Sequence, residues 1–380
     1  MDIIGGDPVR DTVAEELSST QYACSQLLRL SGGTANFVYR GTLSKPLNDG
    51  TVIVIVKHAE DYIASNKDFK LSATRCLIEE SALRALDGMS SVTTTNEGKD
   101  GQKYQITVKT PKLFHFDSST NTQVMENLQD AVDLKTFLLS PSVAQNISKE
   151  WTLSIGRTIG IWLRSFHLWI ADAAQADVAA QLGKNETMKK LKFSINYDSL
   201  IKVIDAYPDL LEGSRSVFEK VRDLAAAELN ETQGGAIGPI HGDFWSGNVL
   251  IPRHALDQPL PTTPLLITDW ELAQWGNRAL DLGQMIAELY MLKHFKGIDD
   301  GLWAIEGFVE GYHDISHDIA FRTIIHVGVH LIFWGSTISG WGTKEQVSDV
   351  VQLGRDLITK AWEKDRRSFE GEIWNCLFRI

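Results

Sequence analysis

Apolar positions recur with period two along the first third of the chain and with period 3.6 along the rest. After a leading amphipathic segment that ends near residue 26, Leu27–Arg40 places two short apolar runs on either side of Ser31-Gly32-Gly33-Thr34, as in two strands joined by a glycine turn. Five β-branched residues, Val52 to Val56, then form a strand that closes on Lys57. A helix is expected over Leu71–Leu86, where Glu79, Leu83 and Leu86 share one face, and Glu80 pairs with Arg84 on another. Residues 87–104 are rich in Ser, Thr, Asn and Gly and read as an exposed loop. Strands follow over Gln105–Val108 and Lys112–Phe116, and a third apolar strand runs into Glu126-Asn127-Leu128. From Asp130 the pattern turns helical. Trp151, Ile155, Ile159, Trp162, Leu163 and Phe166 make one stripe that ends at His167, which reads as a core histidine supporting a loop. Residues 172–195 read as a polar helix with a mobile connector, and residues 197–229 as two helices broken near Tyr207-Pro208. Late helices carry His326, His330, Trp334 and Trp341, and a last one spans Lys344–Arg366.

Composition narrows the class. The chain has 380 residues, enough for two lobes, with 43% hydrophobic and 23% charged residues. Thirty-seven Lys and Arg against 49 Asp and Glu give a net charge of −12. That balance argues against a nucleic-acid partner, which needs a basic face. Three scattered cysteines, Cys24, Cys76 and Cys376, outline no disulfide framework and fit a reducing, cytoplasmic setting. The N-terminal residues lack the pattern of a signal peptide, and the longest apolar runs are strand-length, so no membrane partner is expected.

The densest chemistry lies in His241-Gly242-Asp243-Phe244-Trp245-Ser246-Gly247-Asn248, followed by Leu265-Leu266-Ile267-Thr268-Asp269-Trp270-Glu271. Magnesium takes oxygen ligands, one or two carboxylates plus substrate phosphates. Asn248 and Asp269 supply such oxygens, which leaves Asp243 to hold a hydroxyl proton, the division of labour used in phosphoryl transfer. The Gly32-Gly33 turn lets backbone amides approach a phosphate, and Lys57 is placed to orient the α- and β-phosphates with Glu79 as its partner. Four prolines between Ile251 and Leu265 predict an exposed hairpin loop joining the two short strands. Asp281, at the start of a later helix, reads as its N-terminal cap.

These residues carry a resemblance. HGDFWSGN, ITDWE and the following Leu280-Asp281-Leu282-Gly283 are similar to the aminoglycoside phosphotransferase and choline kinase superfamily. The Asp-x-Glu form of the second motif resembles methylthioribose kinases. SGGTANFVYR, VIVKHAE and the late Trp-Gly-Ser resemble fungal 4-hydroxytryptamine kinases. The resemblance implies an α+β, bilobal, protein-kinase-like fold, with a small β-rich N-lobe at residues 1–124, a hinge at 125–130, and a larger helical C-lobe at 131–380 that leaves the nucleotide in the cleft. It implies ATP and Mg2+ as cofactors, adenine against the backbone of Glu126, Asn127 or Leu128, and Glu271 as a further metal contact. The acceptor it implies is a small-molecule hydroxyl, with a hydroxylated amine such as 4-hydroxytryptamine as one choice and methylthioribose, choline or an aminoglycoside as others. Trp245, Trp275 and Trp334 are candidate acceptor contacts. Glu288, seven residues beyond Asp281 on the same helical face, is the candidate for an ammonium group. A pseudokinase would have lost the lysine, the aspartate or a metal ligand, and none is missing. A protein kinase would need an activation segment after Asp269, and Asp281 follows too soon.

Overall fold

A computed structural model describes residues 7–97, 101, 103–256 and 261–379. The chain divides into two compact units, Met1–Gly88 with Thr110–Gln129, and Met89–Lys109 with Asp130–Ile380. The strand-rich first part, the helical second part and the α+β class agree with the sequence pattern.

In the first unit an antiparallel sheet is ordered Cys24–Arg29, Phe37–Leu43, Ile53–His58, Thr122–Glu126, Leu113–Asp117. Alternation along Ile53–His58 sends Val54 and Val56 into a core with Tyr39 and Val124. The same alternation sends Lys57 to the opposite face. This unit holds the helices Pro8–Leu17 and Arg75–Leu86, and the outer face of the second carries the expected Glu80–Arg84 ion pair.

The second unit contains a smaller sheet in the order Ala131–Asp133, Val249–Pro252, Thr262–Ile267, Lys103–Lys109, Val92–Glu97. Two sequence expectations change here. The stretch expected as a loop at 87–104 contains the strand Val92–Glu97, which alternates between half-buried and exposed residues and pairs antiparallel with Lys103–Lys109. Its threonines are polar because one face is solvated, and threonine is a good strand residue. Residues 89–109 therefore pack with the second unit, whereas the sequence boundary at 124 grouped them with the first. The proline-rich insertion also ends earlier than expected. Pro264 lies inside the strand Thr262–Ile267, opposite Thr107. Pairing to Val249–Pro252 is confined to Leu266 and Ile267, so one side of the strand is unpaired at Pro264 and a missing N–H is tolerated. Residues 257–260 of the insertion lie outside the described residues.

Two helices of this unit meet backbone to backbone. Gly156 and Gly160 on Lys149–Trp169 face the helix Asp300–Tyr312, which presents Gly307 and Gly311 in return. A Cβ at any of the four would run into a main-chain carbonyl of the other helix. The helix Lys149–Trp169 carries the expected stripe, from which Trp162 stacks on Phe244, and Trp162 and Phe166 both meet Trp270 edge to face. The helix His317–Thr337 is long and apolar enough to cross a membrane by length and composition, beyond the strand-length runs noted above. However, 78% of its apolar window is buried, and it packs against Ala279–Lys296 and Lys344–Trp362.

Candidate active site

The strand Ile237–Ile240 pairs with Gln274–Asn277 and delivers His241-Gly242-Asp243 into a tight turn. Gly242 adopts φ of 80°, a left-handed conformation that favours glycine. The turn aims the N–H groups of His241 and Gly242 at the carboxylate of Asp281, at 2.8 and 2.9 Å. Asp281 thus does not cap its own helix, as expected from sequence. It lies within the first turn of Ala279–Lys296 and ties down the loop instead. His167 stands behind it, with Nε2 3.2 Å from Asp281 and Nδ1 2.9 Å from the Tyr312 hydroxyl. Gly242→Ala is expected to cost about 2–4 kcal/mol, from the left-handed backbone and from collision with the Leu272 carbonyl. Denaturant midpoints compared with Gly213→Ala, whose Cβ would meet open space, check this. Equal midpoints would mean that the turn relaxes.

The two motif aspartates are each followed by a buried aromatic, Phe244 after Asp243 and Trp270 after Asp269. Both rings pack on Trp162, so one helix sets the height of both loops. The His241 ring joins the loops directly. Its Nδ1 accepts the Asp243 N–H at 3.2 Å, which leaves Nε2 as the donor to the Thr268 carbonyl at 3.0 Å.

Asp243 is held by three side chains. Lys192 Nζ and Gln284 Nε2 lie 2.6 and 2.7 Å from Oδ1, and Asn248 Nδ2 lies 3.1 Å from Oδ2. Burial alone would raise the Asp243 pKa, but the Lys192 charge and the hydrogen bonds outweigh it and bring the value down to about 2. A carboxyl lowered from about 3.9 in the unfolded chain contributes stability above about pH 4 that is lost as pH falls toward the folded value. Above that range Asp243 is a hydrogen-bond acceptor only.

Asn248 spends its amide N–H groups on Asp243, on the main-chain carbonyl at 2.9 Å and on the carboxylate. Its side-chain carbonyl oxygen has no hydrogen-bond partner among the described residues. Asp269, at the end of Thr262–Ile267, is left-handed with φ of 68°, a costly conformation for a residue other than glycine. Carboxylate oxygens of Asp269 and Glu271 lie within 4.8 Å of each other. An unspent amide oxygen and two neighbouring carboxylates match the oxygen donors that magnesium takes. Asn185 adds support that the sequence did not suggest, since its amide donates to the Glu271 and Ala273 carbonyls at 2.9 and 2.8 Å.

Other expected residues sit apart from Asp243 or in unexpected company. Glu288 is 5% exposed, so it is not a solvated helix carboxylate. It is held by Lys135 and by His330, each at 2.9 Å. Burial would raise its pKa, yet these partners hold it below the usual range, while burial lowers that of His330. The Lys135 ammonium lies 4.2 Å from the Trp341 ring centre and 5.1 Å from that of Trp245. Trp334 stacks near His330 at 6.0 Å. Trp275 lies in a strand opposite Pro239. Lys192, Gln284 and Lys135 were missed. Gln284 was accessible to the reasoning used for Glu288, because it lies three residues beyond Asp281 on one helical face.

In the first unit Lys57 reaches Glu79 at 2.9 Å to Oε1 and 2.8 Å to Oε2, both groups being buried. Gly32 and Gly33 lie in the turn between Cys24–Arg29 and Phe37–Leu43. Glu126 ends its strand, and its N–H donates to the Lys112 carbonyl at 2.8 Å. Asn127 and Leu128 continue as an irregular segment up to the division between the units.

A model described as the phosphotransferase enzyme family, APH, matches residues 108–315. Phosphotransferase FrzJ of Cladobotryum sp is 34% identical over 378 residues, covering 98% of this chain and 97% of that one. The 4-hydroxytryptamine kinase of Psilocybe cyanescens is 25% identical over 368 residues, covering 95% and 93%. Among solved structures, choline kinase LicA from Streptococcus pneumoniae aligns over 93% of this chain and 100% of its own, with 16% identity and a TM-score of 0.47. The family match over more than half the chain, and a relative at 34% identity across nearly all of it, establish that this chain belongs to the phosphotransferase enzyme family and is an enzyme of the small-molecule kinase kind.

Proposed function

We propose that this enzyme transfers the γ-phosphoryl group of ATP to a hydroxyl of a small molecule, with Mg2+. The observation that carries the reading is Asp243, an ionised carboxylate fixed by Lys192, Gln284 and Asn248 in a loop that Asp281 locks. Asp243 accepts the hydrogen bond of the acceptor hydroxyl and takes its proton late, so its contribution is mainly orientation. Asn248 and Asp269 hold the metal, with Glu271 as an additional contact. Bound magnesium would neutralise phosphate charge. Lys57, steadied by Glu79, orients the α- and β-phosphates, the Gly32-Gly33 turn covers them, and the main chain at Glu126, Asn127 and Leu128 meets the adenine edge.

For the acceptor we propose a small hydroxylated amine such as 4-hydroxytryptamine. The relative named for that substrate supports this choice, as does an acid flanked by indoles. The Lys135–Glu288 pair supports a second reading, in which the acceptor carries no ammonium, since the carboxylate is already neutralised. ATP consumption with 4-hydroxytryptamine and with 4-hydroxyindole, on the wild type and on Glu288→Gln, separates the two. If Glu288 reads the amine, the wild type prefers the amine about tenfold or more, a difference of ~1.4 kcal/mol, and Glu288→Gln loses that preference. Equal use of both acceptors, or a preference that survives the substitution, would remove the amine from Glu288.

A further inference from the structure

The Lys192–Asp243 pair contains more than the positioning of a carboxylate requires. Gln284 already donates to Oδ1 of Asp243, and Asn248 to Oδ2, so both oxygens are fixed without a lysine. Lys192 nonetheless extends from the helix Glu186–Phe193 to within 2.6 Å of Oδ1, with its side chain only 13% exposed. Asp243 is its one hydrogen-bond partner among the described residues, so an ammonium with three donors has two to spare. Its neighbours from other elements, His326 and His330 on His317–Thr337, are histidines whose pKa burial lowers, and they offer no negative charge. A largely buried cation with spare donors thus lies against the carboxylate proposed to receive the acceptor proton.

We propose that Lys192 is a catalytic residue whose ammonium binds the oxygens of the transferring phosphoryl group. This rests on the reading of Asp243 given above. In the step, the acceptor oxygen forms a bond to the γ-phosphorus. The bond from that phosphorus to the β,γ-bridging oxygen breaks, and its electron pair leaves with ADP. The hydroxyl proton passes to Asp243, and Lys192 keeps all of its protons. Asp243 thereby loses its negative charge as the phosphoryl group, carrying its two charges with it, arrives on the acceptor oxygen beside it, and the charge that balances the proton leaves on the β-phosphate of ADP. The attraction that holds Lys192 to Asp243 vanishes while an equivalent one appears on the phosphate. A point charge on a flexible stem can follow that shift with little reorganisation.

The test uses the full chain with Lys192→Met, Lys192→Arg and Asp243→Asn. Turnover is measured with Mg-ATP and 4-hydroxytryptamine, and with water as the acceptor in its absence. Binding of Mg-ADP is measured alone and with aluminium fluoride, a planar mimic of the phosphoryl group in flight. Lys192→Met should lower kcat about 100-fold with KM for ATP unchanged. It should weaken the fluoroaluminate complex by a similar factor while ADP alone binds as before, and Lys192→Arg should recover part of both losses. A merely structural lysine would not separate ADP from its fluoroaluminate complex. If Lys192→Met stays within threefold of wild type, or if ADP binding falls in parallel, the proposal is overturned. If Asp243→Asn abolishes turnover and Lys192→Met does not reduce it, only the lysine role fails. If the wild type turns over with neither acceptor, the choice of acceptor fails, and the comparison of ADP with its fluoroaluminate complex alone decides the lysine role.

Discussion

Asp243→Asn is expected to lower phosphoryl transfer about 1000-fold or more, some 4 kcal/mol of barrier, while nucleotide still binds. The amide cannot take the hydroxyl proton. It also has one acceptor oxygen where the carboxylate has two, and three donors converge there, from Lys192, Gln284 and Asn248. One rotamer leaves Asn248 facing an N–H group, and the other leaves Lys192 and Gln284 facing one. Nucleotide binding should survive, because the lysine proposed to hold the phosphates has its own carboxylate partner in Glu79. Calorimetric titration with Mg-ATP, beside a turnover assay, separates the two effects. Transfer within about tenfold of wild type, ~1.4 kcal/mol, would take Asp243 out of the chemistry.

The second large effect is expected at Asp269. Asp269→Ala should stop turnover and weaken magnesium-dependent nucleotide binding, by about 3 kcal/mol or ~100-fold, and Glu271→Ala should do less damage. The ranking has a structural basis. Asp269 is partly exposed at the end of its strand, in a left-handed conformation that turns the chain sharply after the strand. Glu271 is buried, and its main chain is anchored by Asn185. A magnesium titration of both variants at fixed ATP measures the difference. Equal losses would make the two carboxylates joint ligands of similar weight.

What was legible in the sequence was whatever lies close together along it. Asp243, Asn248 and Asp269 belong to two short motifs at strand ends, and ordinary spacing brought them forward. Glu79 was separable from Glu80 because a helix has faces, and the Lys57–Glu79 and Glu80–Arg84 pairs follow those faces. Lys192 reaches Asp243 across 51 residues and Lys135 reaches Glu288 across 153, and neither sits in a pattern that marks it. Lys192 in particular falls in a polar stretch that reads as a connector. Asp281 was seen but assigned to its own helix, because capping is a local rule and the turn it holds comes from 40 residues earlier. The Thr-rich strand Val92–Glu97 was hidden by composition. A half-solvated edge strand and a loop share the same residues, and only the partner strand distinguishes them.

The glycine contact between Lys149–Trp169 and Asp300–Tyr312 bears on how such an enzyme diverges. An interface filled by side chains drifts gradually, a methylene at a time, as partners adjust. Here main chain lies against main chain, so the smallest substitution forces the helices apart by a whole layer. One of these helices bears Trp162 and His167, and the other bears Tyr312, which is bonded to His167. The support beneath the Asp243 loop is therefore frozen against neutral drift. On the acceptor reading proposed above, new acceptors would be reached by altering Lys135, Glu288, His330 and the indoles of Trp245 and Trp341, which meet through side chains alone.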